Sequence, residues 1–485
     1  MKILMVASEL APFIKTGGLA NMVNALGIAL SSMGHDVRVV LPRYYKIDRK
    51  NLKAIPGTLV CNIGASEYFT QVYEAKVGKS KMIAYFIDYE QFFGRDGIYG
   101  TQGEGDFHDN PYRYSLLSHA ALQTCLKQNW IPDIIHSHDW QAALAPVLLK
   151  HSKQYPTFAK TKTVLTIHNI GYQGVYAKDA YPATGLEWNV FYSSGFEDHD
   201  RINFLKAGIV SADKISTVSP SYSEQIKTPE YGFGLDGILR GRADDLSGIL
   251  NGIDTKIWSP KTDKLIPYTY SKSSLAKKSK NKEELQKKMG LEVSNRPPLF
   301  GMVTRLSEQK GINELFAPNF GAMYHICRDM DVQFAIIGEG ELWCERELLS
   351  LASQLPNFRV FIGYDEGLSH LLQAGSDFLL MPSKYEPCGL SQMYAMRYGT
   401  IPLVRRTGGL SDTVENYNEK TGDGTGFMLD YLSPSSIYDT VGWAVYTWYN
   451  KQAHIKKMRV RGMERDFSID KSTSEYVELY ERMIK

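Results

Sequence analysis

The feature that most constrains this fold is a succession of short apolar runs separated by helix-length segments. In the first half they cover residues 2–7, 37–41, 82–87, 134–138, 164–168 and 214–218. After Gly248-Ile249-Leu250-Asn251-Gly252 the pattern restarts, with runs at 299–304, 332–337, 360–363, 378–381 and 401–404. Several are apolar throughout instead of alternating, the pattern of parallel strands covered on both faces. Strand, helix and strand in repetition predict doubly wound α/β sheets. At 485 residues the chain exceeds one ordinary core, so two such domains are expected, with the boundary near 253–260. The last stretch, 472–485, carries Tyr476, Leu479, Tyr480 and Met483 at helical spacing. It reads as an amphipathic helix that docks on something already built.

Composition excludes several classes of function. A net charge of +2 gives no global field toward nucleic acid or an anionic membrane. No apolar run approaches the roughly 18–20 residues of a membrane span. The first run is short and soon meets Glu9, which argues against a cleaved leader. The five cysteines (Cys61, Cys125, Cys327, Cys344, Cys388) are odd in number and form no CxxC, so neither a disulfide framework nor a zinc knuckle is indicated, and a reducing cytoplasm fits. Residues 272–288 begin as a lysine- and serine-rich surface loop and continue as a helix ending at Gly290. Without interleaved aromatics, they are a poor nucleic-acid surface.

The unusual polar clusters sit at strand ends. Lys15-Thr16-Gly17-Gly18-Leu19-Ala20-Asn21 lies between the first apolar run and a helix. A lysine and two glycines at a helix N-terminus favour an anion, although the same residues suit a flexible turn with a solvated lysine. Arg406-Thr407-Gly408-Gly409-Leu410-Ser411-Asp412 echoes it after another run, which suggests one ligand held between two domains. His136-Ser137-His138-Asp139-Trp140 ends the 134–138 run; a metal reading needs a third ligand that is not evident, so packing or a substrate contact is favoured for the histidines. Asp139 either caps the next helix, expected over 140–149, or grips a sugar hydroxyl. His168 ends the next run, and Asn251 lies in a turn-forming Asn-Gly pair. Arg305 and Lys310 follow the first run of the second half and together suit a diphosphate. Glu386-Pro387-Cys388-Gly389-Leu390 precedes a helix start, where backbone N–H groups favour a ligand and the glutamate suits sugar hydroxyls. Gly338-Glu339-Gly340-Glu341 lacks the third glycine of a dinucleotide fingerprint.

Taken in order, the motifs resemble the bacterial glycogen synthase and plant starch synthase family, glycosyltransferase family 5. They include KTGGLA at 15–20, HSHDWQ at 136–141, TIHNIGYQG at 166–174, LNGID at 250–254, TRLSEQKG at 304–311, KYEPCGLSQ at 384–392 and RYGTIPLVRRTGGLSDTV at 397–414, and the match covers nearly the whole chain. The resemblance implies an α/β GT-B fold, two Rossmann-like doubly wound domains facing across a deep cleft. It divides the chain into an N-terminal acceptor-side domain at 1–255, a nucleotide-sugar domain at 256–465 and a C-terminal helix at 466–485 that crosses back. It implies retaining transfer of glucose from ADP-glucose to the non-reducing end of an α-1,4-glucan, with no metal and no cofactor. The alternative is a related retaining transferase using a small sugar acceptor or UDP-glucose. By resemblance, Lys15, Gly17 and Gly18 join Arg305 and Lys310 on the diphosphate. Glu386, with the backbone of Cys388, Gly389 and Leu390, holds glucose and ribose. Asn251, Thr407, Gly408 and Gly409 line the sugar pocket, His168 sits beside the anomeric centre, Asp139 orients glucose or acceptor, and Tyr364 stacks on adenine. Two departures stand out: Asn21 replaces the family's usual aspartate, and the acidic segment 103–107 is slightly longer than usual.

Overall fold

The computed structural model describes residues 1–101 and 105–485, so part of the acidic segment 103–107 lies outside the described residues. The chain divides into two compact units. The first is Met1–Gly252 together with Ile469–Lys485, and the second is Ile253–Ser468.

Among the described residues, the first unit is built on a sheet of seven parallel strands. Their order across the sheet is Leu246–Gly248, Lys214–Thr217, Lys162–Ile167, Ile134–His138, Lys2–Val6, Asp36–Pro42 and Ile83–Asp88. Each of the six apolar runs of the first half forms one of these strands. An antiparallel flank extends the Ile83–Asp88 edge: Ser66–Lys76 pairs with it and carries Lys53–Ala54 and Leu59–Ile63. Sequence reasoning left this flank out. The strand Leu59–Ile63 alternates buried and exposed residues, so it has no continuous apolar run to detect.

The second unit carries six parallel strands among the described residues. Their order is Phe358–Ile362, Gln333–Gly340, Leu299–Leu306, Phe378–Met381, Ile401–Arg405 and Phe427–Leu429. Counted along the chain this is 3-2-1-4-5-6, the doubly wound order, and the parallel strands of the first unit follow the same order with a seventh added. In each unit the strand order reverses between strands 1 and 4. Outside the carboxyl ends of those two strands lies the crevice where such sheets bind ligands.

Two expectations need correction. The lysine-rich stretch is a surface segment only over Lys272–Lys277, which forms a 3-10 turn; the helix already begins at Lys278, and Lys278 and Lys282 are buried. Lys278 donates to the carbonyl of Ala374 at 2.7 Å and to Thr400 Oγ1 at 2.6 Å, while Lys282 pairs with buried Asp377 at 2.7 Å. Arg459 closes on the other oxygen of Asp377 at 2.5 Å, so the carboxylate is satisfied on both sides and holds the helix Lys278–Met289 to the sheet. That helix does end at Gly290, in the left-handed conformation. The helix after Asp139 is also broken, into a 3-10 turn at Trp140–Ala142 and an α-helix at Leu144–His151.

The C-terminal helix, Ile469–Ile484, packs against the helix Gly18–Ser32 of the first unit. Tyr476, Leu479 and Tyr480 are buried there, and Met483 is half-buried.

Candidate active site

In the first unit the candidate residues follow the carboxyl ends of parallel strands: Lys15 comes after strand 1, Asp139 after strand 4, His168 after strand 5 and Asn251 after strand 7. Lys15 is exposed on the loop between Lys2–Val6 and the helix Gly18–Ser32. Sequence reasoning missed what holds that loop. The buried carboxylate of Glu9 accepts from the backbone N–H of Thr16 at 2.5 Å, from Thr16 Oγ1 at 2.6 Å and from the hydroxyl of Tyr99. Thr16 is thus fixed at two points, and Lys15 projects from an anchored segment. A β-carbon on Gly17 would meet nothing within 4 Å, so space for a ligand adjoins the backbone there. Asn21 is half-buried in this helix, whose first turn carries no acidic residue. No carboxylate of the helix itself offsets the partial positive charge of its N-terminus, although Glu9 binds the Thr16 N–H just before it.

Asp139 does not cap a helix. It sits at φ 58°, a left-handed conformation uncommon for a residue with a side chain. Its Oδ1 accepts from the backbone N–H of His168 at 2.7 Å and is 3.4 Å from that of Asn169. The carboxylate fixes the start of the 168–174 loop, leaving Oδ2 for another partner. Burial raises its pKa to about 7, against those two N–H groups, which lower it. His168 joins His138 through its ring, Nε2 lying 3.0 Å from His138 Nδ1. Burial lowers its pKa to about 3, so the imidazole is neutral near pH 7. Asn251 is buried, and its Oδ1 has no hydrogen-bond partner among the described residues, an open acceptor at the end of the first unit.

Beside Trp140 opens a cavity of about 580 Å³, lined by Tyr172, Gln173, Tyr176, Asp106 and His108. Gly174 makes the wall possible. At φ 65° a side chain would be strained, and a β-carbon would come within 2.3 Å of the Trp140 ring.

The second unit repeats the placement. Arg305 is exposed at the end of Leu299–Leu306, and Lys310 lies in the turn Glu308–Lys310. Gly311 at φ 74° tucks this turn against Pro382, whose carbonyl oxygen would be 2.3 Å from any β-carbon. Lys310 is thereby held opposite Glu386, which follows strand 4. Its Nζ lies 2.6 Å from Glu386 Oε2, which also accepts from Ser383 Oγ at 2.8 Å. Glu386 is buried, and its Oε1 takes no partner among the described residues.

Gly409 serves this turn through close approach. A β-carbon there would sit 2.2 Å from the carbonyl oxygen of Cys388, and the Gly409 N–H already donates to the carbonyl of Glu386 at 3.0 Å. That N–H faces the turn, not a ligand. Gly389, at φ 71°, and Leu390 lead into the helix Ser391–Arg397, where Gln392 ties down the carbonyls of Cys388 and Gly389. Buried Thr407 precedes the helix Gly408–Thr413, and Tyr364 is exposed after strand 3. The two glycine motifs are not equivalent: KTGG follows strand 1 of its sheet and RTGG follows strand 5 of the other. Arg406 is moreover spent on an exposed pair with Asp430 at 2.6 Å.

Two doubly wound sheets, each with basic and carboxylate side chains at its reversal point, define the class of the GT-B glycosyltransferases. Residues 2–241 match the starch synthase catalytic domain and residues 282–457 the glycosyl transferases group 1. The chain belongs to the glycogen and starch synthase family. It is 60% identical over 480 residues to the glycogen synthase of Treponema denticola, covering 99% of this chain and 98% of that one. It is 42% identical to glycogen synthase 1 of Geobacter metallireducens, covering 100% of this chain and 96% of that one. Among solved structures, the catalytic domain of starch synthase IV from Arabidopsis thaliana, bound to ADP and acarbose, superposes with a TM-score of 0.90 at 32% identity, covering 100% of this chain and 99% of that one. Sucrose-phosphate synthase from Thermosynechococcus elongatus shares the fold, at a TM-score of 0.60 and 16% identity over 99% of this chain and 98% of that one.

Proposed function

We propose that the protein is a cytoplasmic, retaining glucosyltransferase that moves glucose from ADP-glucose to the non-reducing 4-hydroxyl of an α-1,4-glucan. The observation that carries this reading is the Glu386 carboxylate at the reversal point of the second unit. One oxygen is occupied by Lys310 and Ser383 and the other is open. An open oxygen on a buried side chain suits a sugar hydroxyl, and the paired ammonium suits the adjoining phosphate. Arg305 adds a second positive charge to the diphosphate, and Tyr364 stacks on the base. In the first unit, Lys15 with the Gly17-Gly18 backbone serves the diphosphate. Asp139, His168 and Asn251 serve the sugar, and the cavity beside Trp140 takes the acceptor, its aromatic and carboxylate lining fitting a glucan. Family membership supports the donor and acceptor classes.

Retention needs no protein nucleophile in this reading. As the bond from the anomeric carbon to the diphosphate oxygen breaks, an oxocarbenium-like state forms. The acceptor hydroxyl attacks the same face and passes its proton to the departing diphosphate. The protein contributes positioning and charge stabilisation. The test supplies labelled ADP-glucose or UDP-glucose with glycogen, maltooligosaccharides or small sugars. Label is expected in glycogen and maltooligosaccharides from ADP-glucose, and chelators should not reduce it. Label found only in a small sugar, or only from UDP-glucose, would overturn the reading.

A further inference from the structure

Three imidazoles meet at the carboxyl ends of two neighbouring strands in the first unit. His136 and His138 lie two residues apart on Ile134–His138 and so share a face, their ring centroids 4.2 Å apart. The parallel register sets His138 beside Thr166, two residues before His168. His138 Nδ1 then lies 3.0 Å from His168 Nε2. We propose that His138 is a positioning residue that selects the tautomer of His168, fixing its proton on Nδ1.

The assignment follows from counting hydrogens. Burial keeps both rings neutral, lowering His168 to about 3 and His138 well below the ordinary imidazole value. Each ring therefore carries one N–H, and one of the two must donate to the other. The far nitrogen of His138, Nε2, is buried with no hydrogen-bond partner among the described residues. If His138 accepted at Nδ1, its own hydrogen would sit on Nε2 as an orphaned buried donor. If it donates from Nδ1, Nε2 is a bare lone pair. Orphaned buried N–H groups are the rarer of the two defects, so His138 donates. His168 accepts at Nε2 and carries its hydrogen on Nδ1.

The arrangement is braced from behind. His136, against which His138 lies, is held between Thr166 Oγ1 on Nε2 at 2.5 Å and the hydroxyl of Tyr480 on Nδ1 at 2.7 Å. Tyr480 comes from the C-terminal helix. The backbone N–H of His168 is fixed separately by Asp139, so both ring and main chain are oriented. The consequence is chemical: His168 offers a hydrogen-bond donor to a sugar oxygen and has no lone pair left with which to deprotonate the acceptor. This rests on the reading above that His168 faces the substrate, and it deepens it by excluding His168 as the base.

The test begins on the intact wild-type protein with ring-¹⁵N-labelled histidine. The His168 signals are assigned by their loss in His168→Asn. A pyrrole-type Nδ1 and a pyridine-type Nε2 are expected, and the reverse pattern would overturn the proposal. Two variants add a kinetic readout. His138→Asn keeps an amide donor near the position of Nδ1 and should retain most of kcat. His138→Asp puts an acceptor there, drives the His168 hydrogen to Nε2 and should cost about tenfold or more in kcat with little change in KM. Equal losses in the two variants at unchanged melting temperature would overturn the proposal. Absence of glucosyl transfer in the wild type would instead remove the functional reading and leave the tautomer result standing.

Discussion

Lys310 and Arg305 are both assigned to the diphosphate, yet their surroundings predict different variant behaviour. Each change to alanine should lower turnover by about a hundredfold or more, the scale of losing one charge-stabilising donor. Lys310→Ala also leaves Glu386 buried opposite nothing but Ser383, so its melting temperature should fall. Exposed Arg305 leaves no such orphan, and Arg305→Ala should melt as the wild type does. Near-normal turnover in either variant would refute the assignment. A second prediction at this scale concerns pH. Burial lowers His119 to about 4 and His136 to about 3, both fully buried. Their folded values lie below the unfolded one, so the unfolded chain binds the extra protons as pH falls below about 6.5. Stability should drop from there down to about pH 3, by roughly 2 kcal/mol per histidine between pH 6.5 and 5. Asp139, raised to about 7, has the opposite sign: its contribution is lost as pH rises from about 4 to 7. Denaturant midpoints across pH 4–8 would check this, and His119→Gln should shallow the acid slope. The candidate residues were legible as candidates where a motif names them. Glu9 was not, because it reads as a charge ending an apolar run and its partner Tyr99 lies 90 residues on.

Elements explain why the candidate residues lie where they do. In both sheets the candidate loops follow the carboxyl ends of parallel strands, and strand order sets those after strands 1 and 4 side by side. The sequence reading found the parallel strands because both-face burial leaves uninterrupted apolar runs. It missed the flank 53–76 because a half-exposed strand alternates, and it missed Phe427–Leu429 because three residues are too short a run. The RTGG echo was legible as residues but misleading as architecture, since the two copies follow different strands. Gly409 is the position where element packing and chemistry meet. Gly409→Ala forces the helix Gly408–Thr413 away from the Cys388 carbonyl, a backbone atom with little room to yield. We expect a stability loss of about 1–3 kcal/mol, typical of overpacking, together with reduced kcat as the Glu386 turn moves. Gly17→Ala, with nothing within 4 Å, should leave stability unchanged and act only through ligand binding. Thermal melts with and without ADP separate the two: an unchanged apo melting temperature for Gly409→Ala would contradict the packing role.

At the scale of the whole molecule, the first unit is discontinuous: the chain leaves it at Gly252, builds the second unit, and returns at Ile469. The two crossings run side by side, with the Ile253 N–H donating to the Phe467 carbonyl at 2.8 Å. The returning helix is therefore part of the first unit's core and not an appendage. Its buried Tyr476, Leu479 and Tyr480 would contribute about 1.5–3 kcal/mol each by burial, a large share of the roughly 5–15 kcal/mol that holds a domain together. Removing Ile469–Lys485 also uncovers the partner face of Gly18–Ser32 and takes the Tyr480 hydroxyl from His136. The truncated chain should lose amide protection throughout the first unit's sheet, including Lys2–Val6 and Ile134–His138. The second unit, whose core clusters draw on no residue beyond 468, should keep the protection of Leu299–Leu306. Hydrogen exchange read by mass spectrometry resolves the two. Loss in both units would mean that the second unit depends on the first for its stability. Unchanged protection in the first would mean that the helix merely rests on its surface. Tyr480→Phe is the graded control, because it keeps the ring and removes only the bond to His136. It should leave exchange in Lys2–Val6 nearly unchanged while loosening the histidine cluster.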